Sequence, residues 1–407
     1  MAQRDPLSTP KRPSSEDASA EVDLRSLTLQ QLEQLFEDLG QPSYRAKQVF
    51  RWVHQRGVRS VDEMTDLSKD LRAKLGAHTR LTSMEIGKVE RASDGTRKYA
   101  LRTATGDTVE AVFIPDASAA GRHTLCISSQ VGCAVDCKFC LTASLGLLRN
   151  LSFGEIVEQI TRVKEDLAAH PHDAPEQGAA SDRPTAQAPR DNRAAEKADA
   201  KTAEPRIGNI VMMGMGEPLA NYGQLIPALQ TMSADLGHHI SPRRITVSTS
   251  GLAHRIPKLG EDVPVNLAVS LNATTDAIRD RIMPINKRWN IEKLLDACRR
   301  FPLPPRRRIT FEYVMLKDIN DSDEDARRLI RLLKGFRCKV NLIPFNEHPY
   351  SPFKTPSVER VERFQRIIGQ ADFTVLVRTP RGDDISAACG MLGAEVEAPR
   401  RVLNVIP

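Results

Sequence analysis

From residue 122 onward the chain alternates short Val- and Ile-rich runs with amphipathic helical stretches, and this alternation leaves few architectures open. The strand-like runs are HTLCIS, NIVMMG, RITVSTS, VNLAVSL, RITFEYVML, KVNLIPF and FTVLVR. Helical periodicity falls between most of them, near 222–234, 290–300, 322–334 and 357–370. Another helix opens on a capping box at Ser152 and Glu155. Repeated strand–helix units bury a parallel sheet under helices. About six such units predict an α/β fold, an incomplete (βα)6 TIM-like barrel. Functional side chains of such a barrel belong at the C-terminal ends of its strands.

The flanks read differently. Residues 1–25 are polar, contain no aromatic residue, and are expected to form a disordered tail. Residues 26–90 form a small helical domain. Thr28 and Gln31 make a capping box, Leu32, Leu35, Phe36 and Leu39 follow at helical spacing, and Gly40 ends the helix. A second helix carries Ala46, Val49, Phe50 and Val53 on one face, and Arg45, Lys47, Arg51 and His54 on the other. That basic side is either a solvated face or an RNA contact. Residues 91–120 read as a β-hairpin connector, with RKYALRT and TVEAVFIP about a turn at 104–107. The barrel spans 121–395. Within it, 168–206 has no Val, Ile, Leu, Met or aromatic residue and is expected to be a disordered insertion. Residues 396–407 form a C-terminal tail. No apolar run approaches the roughly 18 residues a membrane helix needs, and the N-terminus has no apolar signal segment. A cytoplasmic monomer is expected. The net charge of +6 favours an anionic partner such as nucleic acid.

Seven cysteines are present, and Cys126, Cys133, Cys137 and Cys140 crowd together. A secreted disulfide framework would be shorter and more evenly spaced. Thiolates are soft ligands that suit zinc and iron–sulfur clusters. A structural zinc site wants four ligands, and Cys126 is available as the fourth, but the paired knuckles of zinc modules are absent. Three cysteines at C-x3-C-x2-C leave one iron of a [4Fe–4S] cluster open to a ligand. A zinc-stabilised RNA-binding module without catalysis stays open beside the cluster reading, as does a cluster enzyme with a small-molecule substrate.

C-x3-C-x2-C with Phe139 before the last cysteine resembles the signature of radical S-adenosylmethionine (SAM) enzymes. The segments CISSQVGCAVDCKFCLTASLGLLRNL, VMMGMGEPLANY, ITVSTSGL, INKRWNIEKLL, NLIPFN and VRTPRGDDISAACGML resemble the RlmN/Cfr family of radical SAM RNA adenine methyltransferases. The similarity covers roughly residues 26–395 less the insertion. It is closer to the RlmN branch, which methylates adenine C2, than to the Cfr branch, which methylates C8.

The resemblance implies a set of roles. Cys133, Cys137 and Cys140 would hold a [4Fe–4S] cluster. Gly216, Glu217, Ser248, Ser270, Leu271, Asn272 and Asn346 would bind SAM, two molecules being used per turnover. The family often has His where this chain has Asn272. Cys389 would carry the methyl group as S-methylcysteine, Cys126 would resolve the protein–RNA adduct through a transient disulfide bond, and Glu110 would accept the proton from the base. Substrates would be 23S rRNA and tRNA, and the reductant a flavodoxin-type protein. Cys298 and Cys338 match no functional position and read as core. Arg243, Arg244, Lys287, Arg288, Arg306, Arg307, Arg308, Arg378 and Arg381 are candidates for RNA contact.

Overall fold

The computed structural model describes residues 22–116, 122–170, 206–371 and 373–393, together with residues 396, 400 and 403. Residues 1–21 of the expected tail, 171–205 of the expected insertion and most of 396–407 lie outside the described residues.

The described chain begins with β1 (Val22–Asp23) and a 3-10 turn at Leu24–Ser26. Three helices follow: α1 (Leu29–Asp38), α2 (Ser43–His54) and α3 (Lys69–His78). Thr28 caps α1, and its capping box with Gln31 is formed. Leu32, Phe36, Val49, Phe50, Val53, Leu71 and Leu75 meet in a core of their own. β2 (Thr79–Arg80) pairs in parallel with β1. The expected start of order at residue 26 is therefore too late. Leu24 and Arg25 are buried, because the Arg25 guanidinium pairs with Glu158 at 2.7 Å and donates to the carbonyls of Thr82, Val53 and Val58. The sequence shows a charged residue there, and its partners lie far along the chain.

Three antiparallel strands come next: β3 (Glu85–Arg91), β4 (Arg97–Arg102) and β5 (Thr108–Ile114). The hairpin of β4 and β5 has a third strand, β3, that falls inside the expected helical domain. Its sequence, EIGKVER, alternates apolar and charged residues too weakly to be recognised. Nor are these strands a separate connector. β5 pairs with β6 (Arg122–Cys126), and all belong to one ten-stranded sheet.

After β6 a short ribbon of β7 (Gln130–Gly132) and β8 (Leu147–Asn150) leads into α4 (Phe153–Ala169). Then follow β9 (Arg206–Met212), α5 (Tyr222–Ser233), β10 (Ile245–Thr249), α6 (Ile256–Asp262), β11 (Asn266–Ser270), α7 (Asp276–Ile282) and α8 (Ile291–Arg300). The chain continues through β12 (Ile309–Met315), α9 (Asp323–Leu333), β13 (Cys338–Pro344), α10 (Val358–Ile368) and β14 (Thr374–Val377). Strands β6 and β9–β14 are all parallel, and the sheet ends at β14 on one edge and β3 on the other. This is an incomplete (βα)6 barrel whose last parallel strand, β14, is followed by no α-helix among the described residues.

Strand alternation sorts the side chains. Leu267, Val269, Phe311, Tyr313, Val340 and Leu342 are buried in the hydrophobic layer beneath the helices. Their neighbours Ser270, Glu312 and Asn341 lie in register across β11, β12 and β13 on the opposite, inner face. Cys298 and Cys338 sit in the outer apolar core.

The helical domain docks on α4. Gly154 allows Ser26 to approach, since an added Cβ would lie 2.5 Å from the Ser26 hydroxyl. Gln55 donates to Asp235, and Arg162 to Gly57. His54 is buried here, against Phe50, Phe153 and His238, so it is no part of the basic face expected for α2. Burial drives its imidazole down to about 3. In the C-terminal stretch expected to be a tail, Val396 and Leu403 are buried, and Leu403 donates to the Tyr350 carbonyl.

Candidate active site

One cavity lies at the C-terminal ends of the barrel strands. Cys133, Cys137, Cys140, Gly216, Glu217, Ser248, Ser270, Asn346 and Cys389 all line it. Nine of the residues singled out in the sequence thus converge from six separate segments.

The cysteine loop is held from both ends. Gly132, at φ +74°, lets β7 cross β8 closely: a Cβ there would meet the Gly146 carbonyl at 1.9 Å. Cys133 donates its N–H to that carbonyl at 2.7 Å. Lys138 donates its N–H to Ile282, and its carbonyl accepts from Ser351. Burial raises the thiols of Cys133, Cys137 and Cys140, and Cys140 and Cys133 each push Cys137 further up.

The segment Gly214–Pro218 leaves β9 and folds against the start of the cysteine loop. Ser128 Oγ accepts from Met215 N–H, and Gln130 Oε1 accepts from Glu217 N–H at 2.8 Å. Gly216 sits at φ +98°, with Gln130 where a Cβ would go. The Glu217 carboxylate accepts from Leu219 N–H, Ser250 N–H and the Ser250 hydroxyl. Burial nonetheless raises its pKa.

Cys389 sits on a loop after β14. Its carbonyl accepts from Asn346 Nδ2 at 3.1 Å, while the neighbouring carbonyls of Gly390 and Leu392 accept from Leu141 N–H and the Thr142 hydroxyl. The methyl-carrier candidate is thereby tied to the cysteine loop. Cys389 is exposed by area, but the cavity walls desolvate its sulfur. That desolvation, together with Glu312, raises the thiol, and Arg378 opposes the rise.

Four singled-out residues do not line this cavity. Leu271 is fully buried. Asn272 turns its side chain to accept from Val314 N–H, at φ +58°. Cys126 lies on β6 opposite Val112 of β5, and Glu110 is two residues along β5 on the same face. Glu110 is fully buried rather than on a solvent face, and its carbonyl accepts from Ser128 Oγ at 2.6 Å. Burial raises the Cys126 thiol strongly, and Cys389 adds to the rise, which places the two sulfurs within electrostatic reach. Sequence reading missed Ser250 and Glu312. The signal for Glu312 was a single acid inside the apolar run ITFEYVM.

Residues 22–81 match the ribosomal RNA large subunit methyltransferase N-terminal domain, and residues 175–330 match the radical SAM superfamily. A radical SAM methyltransferase from Sphaerobacter thermophilus superposes with a TM-score of 0.78 at 40% identity, over 92% of this chain and 100% of its own. The dual-specificity RNA methyltransferase RlmN of Geobacter sulfurreducens is 47% identical over 93% of each chain. That of an Anaeromyxobacter strain is 48% identical over 92% of this chain and 91% of its own. The chain belongs to the RlmN family.

As an RlmN-family radical SAM methyltransferase, it uses a [4Fe–4S] cluster and SAM. The donor set fits the cluster. Three soft thiols share one cavity with room beside them, yet among the described residues no three His, Cys, Asp or Glu converge on a single metal ion. A tetrahedral zinc site needs that convergence, whereas each thiolate of a [4Fe–4S] cluster binds its own iron. Cys126, the fourth ligand a zinc site would need, does not line the cavity. The buried Glu217 carboxylate fits an ammonium group.

Proposed function

We propose that the protein methylates C2 of an adenine in RNA, with 23S rRNA and tRNA as substrates and Cys389 as methyl carrier. The observation that carries this reading is the single cavity shared by three cysteines, Glu217 and Cys389. The relatives' name, dual-specificity RNA methyltransferase, supports the substrate class.

Adenine C2 lies between two electronegative nitrogens and is a poor nucleophile, so a methyl cation equivalent does not suffice. When bound, the cluster and SAM supply a 5′-deoxyadenosyl radical that activates a carbon for addition. The protein's own groups do the rest. Cys133, Cys137 and Cys140 would hold the cluster beside the SAM site. Glu217 receives its ammonium, and Gly216, Ser248, Ser270, Asn346 and the backbone of Leu271 and Asn272 complete the site. Cys389 takes a methyl group from a first SAM by displacement, so each turnover consumes two. Glu110 accepts the proton of the modified carbon. Cys126 then attacks the sulfur of Cys389, releasing the product and leaving a transient disulfide. The proximity of Cys126 to Cys389, and the shared face of Cys126 and Glu110, support these roles.

A flavodoxin-type reductant, a monomeric state and a cytoplasmic location complete the proposal. Among the described residues no helix is long and apolar enough to cross a membrane. The test is anaerobic reconstitution and methylation of 23S rRNA and tRNA fragments, with mass mapping of the product. About four iron and four sulfide per chain, lost in a Cys133→Ala, Cys137→Ala, Cys140→Ala variant, and a 2-methyladenine product are expected. An 8-methyladenine product would move the chain to C8 chemistry. A colourless zinc protein would overturn the radical reading.

A further inference from the structure

Glu312 is 93% buried by area, being only 7% exposed, and it sits on the inner face of β12 among the residues lining the cavity. Its Oε1 accepts from Asn341 Nδ2 at 2.9 Å. No described residue donates to Oε2, and no described Lys or Arg forms an ion pair with the carboxylate. Among the described residues the only other carboxylate lining the cavity is Glu217, whose oxygens are already engaged by Leu219 and Ser250. No described histidine lines it. Cys389 and Arg378 line the same cavity, and the Glu312 carboxylate is within electrostatic reach of both.

We propose that Glu312 is the base that accepts the Cys389 thiol proton when Cys389 takes the methyl group. This rests on Cys389 being the methyl carrier. The need is chemical: a thiolate, not a thiol, is the effective nucleophile, and desolvation raises the Cys389 thiol and so disfavours its thiolate. In the step, the Cys389 Sγ–CH3 bond forms as the sulfonium S–CH3 bond of SAM breaks. The electron pair of the broken bond stays on the departing sulfur, giving S-adenosylhomocysteine. The thiol proton passes to the Glu312 carboxylate, which becomes a neutral carboxyl and later loses the proton to solvent at the cavity mouth. Nothing is oxidised or reduced. A neutral Glu312 also suits its burial, which raises its pKa. Arg378 offsets the negative charge while the proton is in transit.

The test separates a base from a mere charge, because the two predict opposite signs. Glu312 as a charge alone holds the thiol up, so its removal would make Cys389 more reactive. Reconstituted protein with an unmethylated Cys389 peptide, verified by mass, is treated with iodoacetamide across pH 6–10 and, separately, with SAM. Labelling and S-methylation are read on that peptide. In Glu312→Gln both rates at neutral pH are expected to fall by tenfold or more, on the order of a positioned base, with the labelling deficit closing at high pH. Glu312→Asp, which keeps a carboxylate, is expected to recover most of the rate. It also keeps the question decidable if the Gln variant fails to fold. Equal or faster labelling in Glu312→Gln, or no recovery in Glu312→Asp, overturns the proposal while leaving Cys389 as carrier. Failure of the wild-type Cys389 to take a methyl group from SAM overturns the carrier reading itself.

Discussion

Replacing Arg25 with Ala tests how the helical domain is held on the barrel. The guanidinium is fully buried, donates to three carbonyls, and pairs with Glu158 of α4. Arg162 pairs with the other oxygen of Glu158 at 2.8 Å. Burial still outweighs both cations and pushes Glu158 up to about 7 from an ordinary value of 4.5. A carboxyl raised in the folded state contributes stability that is full below about 4.5 and is lost as pH rises through about 7. Removing Arg25 raises Glu158 further. At pH 6 the carboxyl is then protonated, and the loss is that of three hydrogen bonds, about 1 kcal/mol each. At pH 8 the ionised or newly protonated Glu158 adds about 1.4 kcal/mol for each further pKa unit. The expected loss is therefore about 3 kcal/mol at pH 6 and about 4–5 kcal/mol at pH 8, the range for breaking a buried pair. The chain has two tryptophans, Trp52 in α2 and Trp289 in the barrel. Denaturant unfolding followed by Trp52 fluorescence in a Trp289→Phe background reads the helical domain directly. An Arg25→Ala, Glu158→Gln double variant should recover the pH-dependent part. Equal losses at pH 6 and pH 8 would refute the reasoning.

Further outcomes follow from the cavity. Gly216→Ala forces a side chain into φ +98°, with its Cβ 2.5 Å from that of Gln130; it should cost roughly 1–3 kcal/mol of stability and weaken SAM binding, and unchanged affinity by calorimetry would refute the Gly216 role. Burial raises the Glu217 pKa above its ordinary 4.5, so SAM affinity should fall as pH drops through that raised value; a flat profile down to the ordinary 4.5 would show that Glu217 does not receive the ammonium. Cys126→Ala should accumulate a covalent protein–RNA species on denaturing gels, and free release of methylated RNA would exclude Cys126 as the resolving thiol.

Much of this was legible because the signals are local. The capping boxes at Thr28 and Ser152 need only residues three apart, and both form. The strand–helix alternation set the barrel, and the rule that ligands meet strand ends placed Ser248, Ser270, Gly216, Glu217 and Asn346 on one wall. What escaped depends on distant partners. Arg25 looked like tail because Glu158 is remote in sequence. His54 looked like part of a basic helix face because nothing local reveals that Phe153 and His238 cover it. Asn272 sits where the family often has His, but the φ of +58° and the bond to Val314 show a side chain occupied with β12. Glu312 was visible as an acid in an apolar run, but the polarity of the barrel interior was not.

The barrel also divides the basic residues that the sequence had grouped. Arg243 and Arg244 precede β10, and Arg306, Arg307 and Arg308 precede β12, so they sit at the N-terminal rim. There Arg243 depresses the pKa of Arg307, after desolvation, as neighbouring cations do. Arg378 follows β14 and lines the cavity, Arg381 lies just beyond, and Lys287 and Arg288 follow α7 near Arg279, which donates to the strand-end carbonyls of Ser250 and Ser270. The seven residues of β12 separate the two rims by about 23 Å at roughly 3.3 Å per residue. A base presented to Cys389 therefore has only the second group beside it. Arg378→Ala should slow methylation even of a short hairpin RNA at saturation. Arg307→Ala with Arg308→Ala should leave that rate unchanged, and any phosphate contact it removes should lower the salt dependence of binding by about one unit of slope. The reverse pattern, with the hairpin rate sensitive at Arg307 and Arg308 but not at Arg378, would mean that RNA approaches the barrel from the wrong end for Cys389 to reach it.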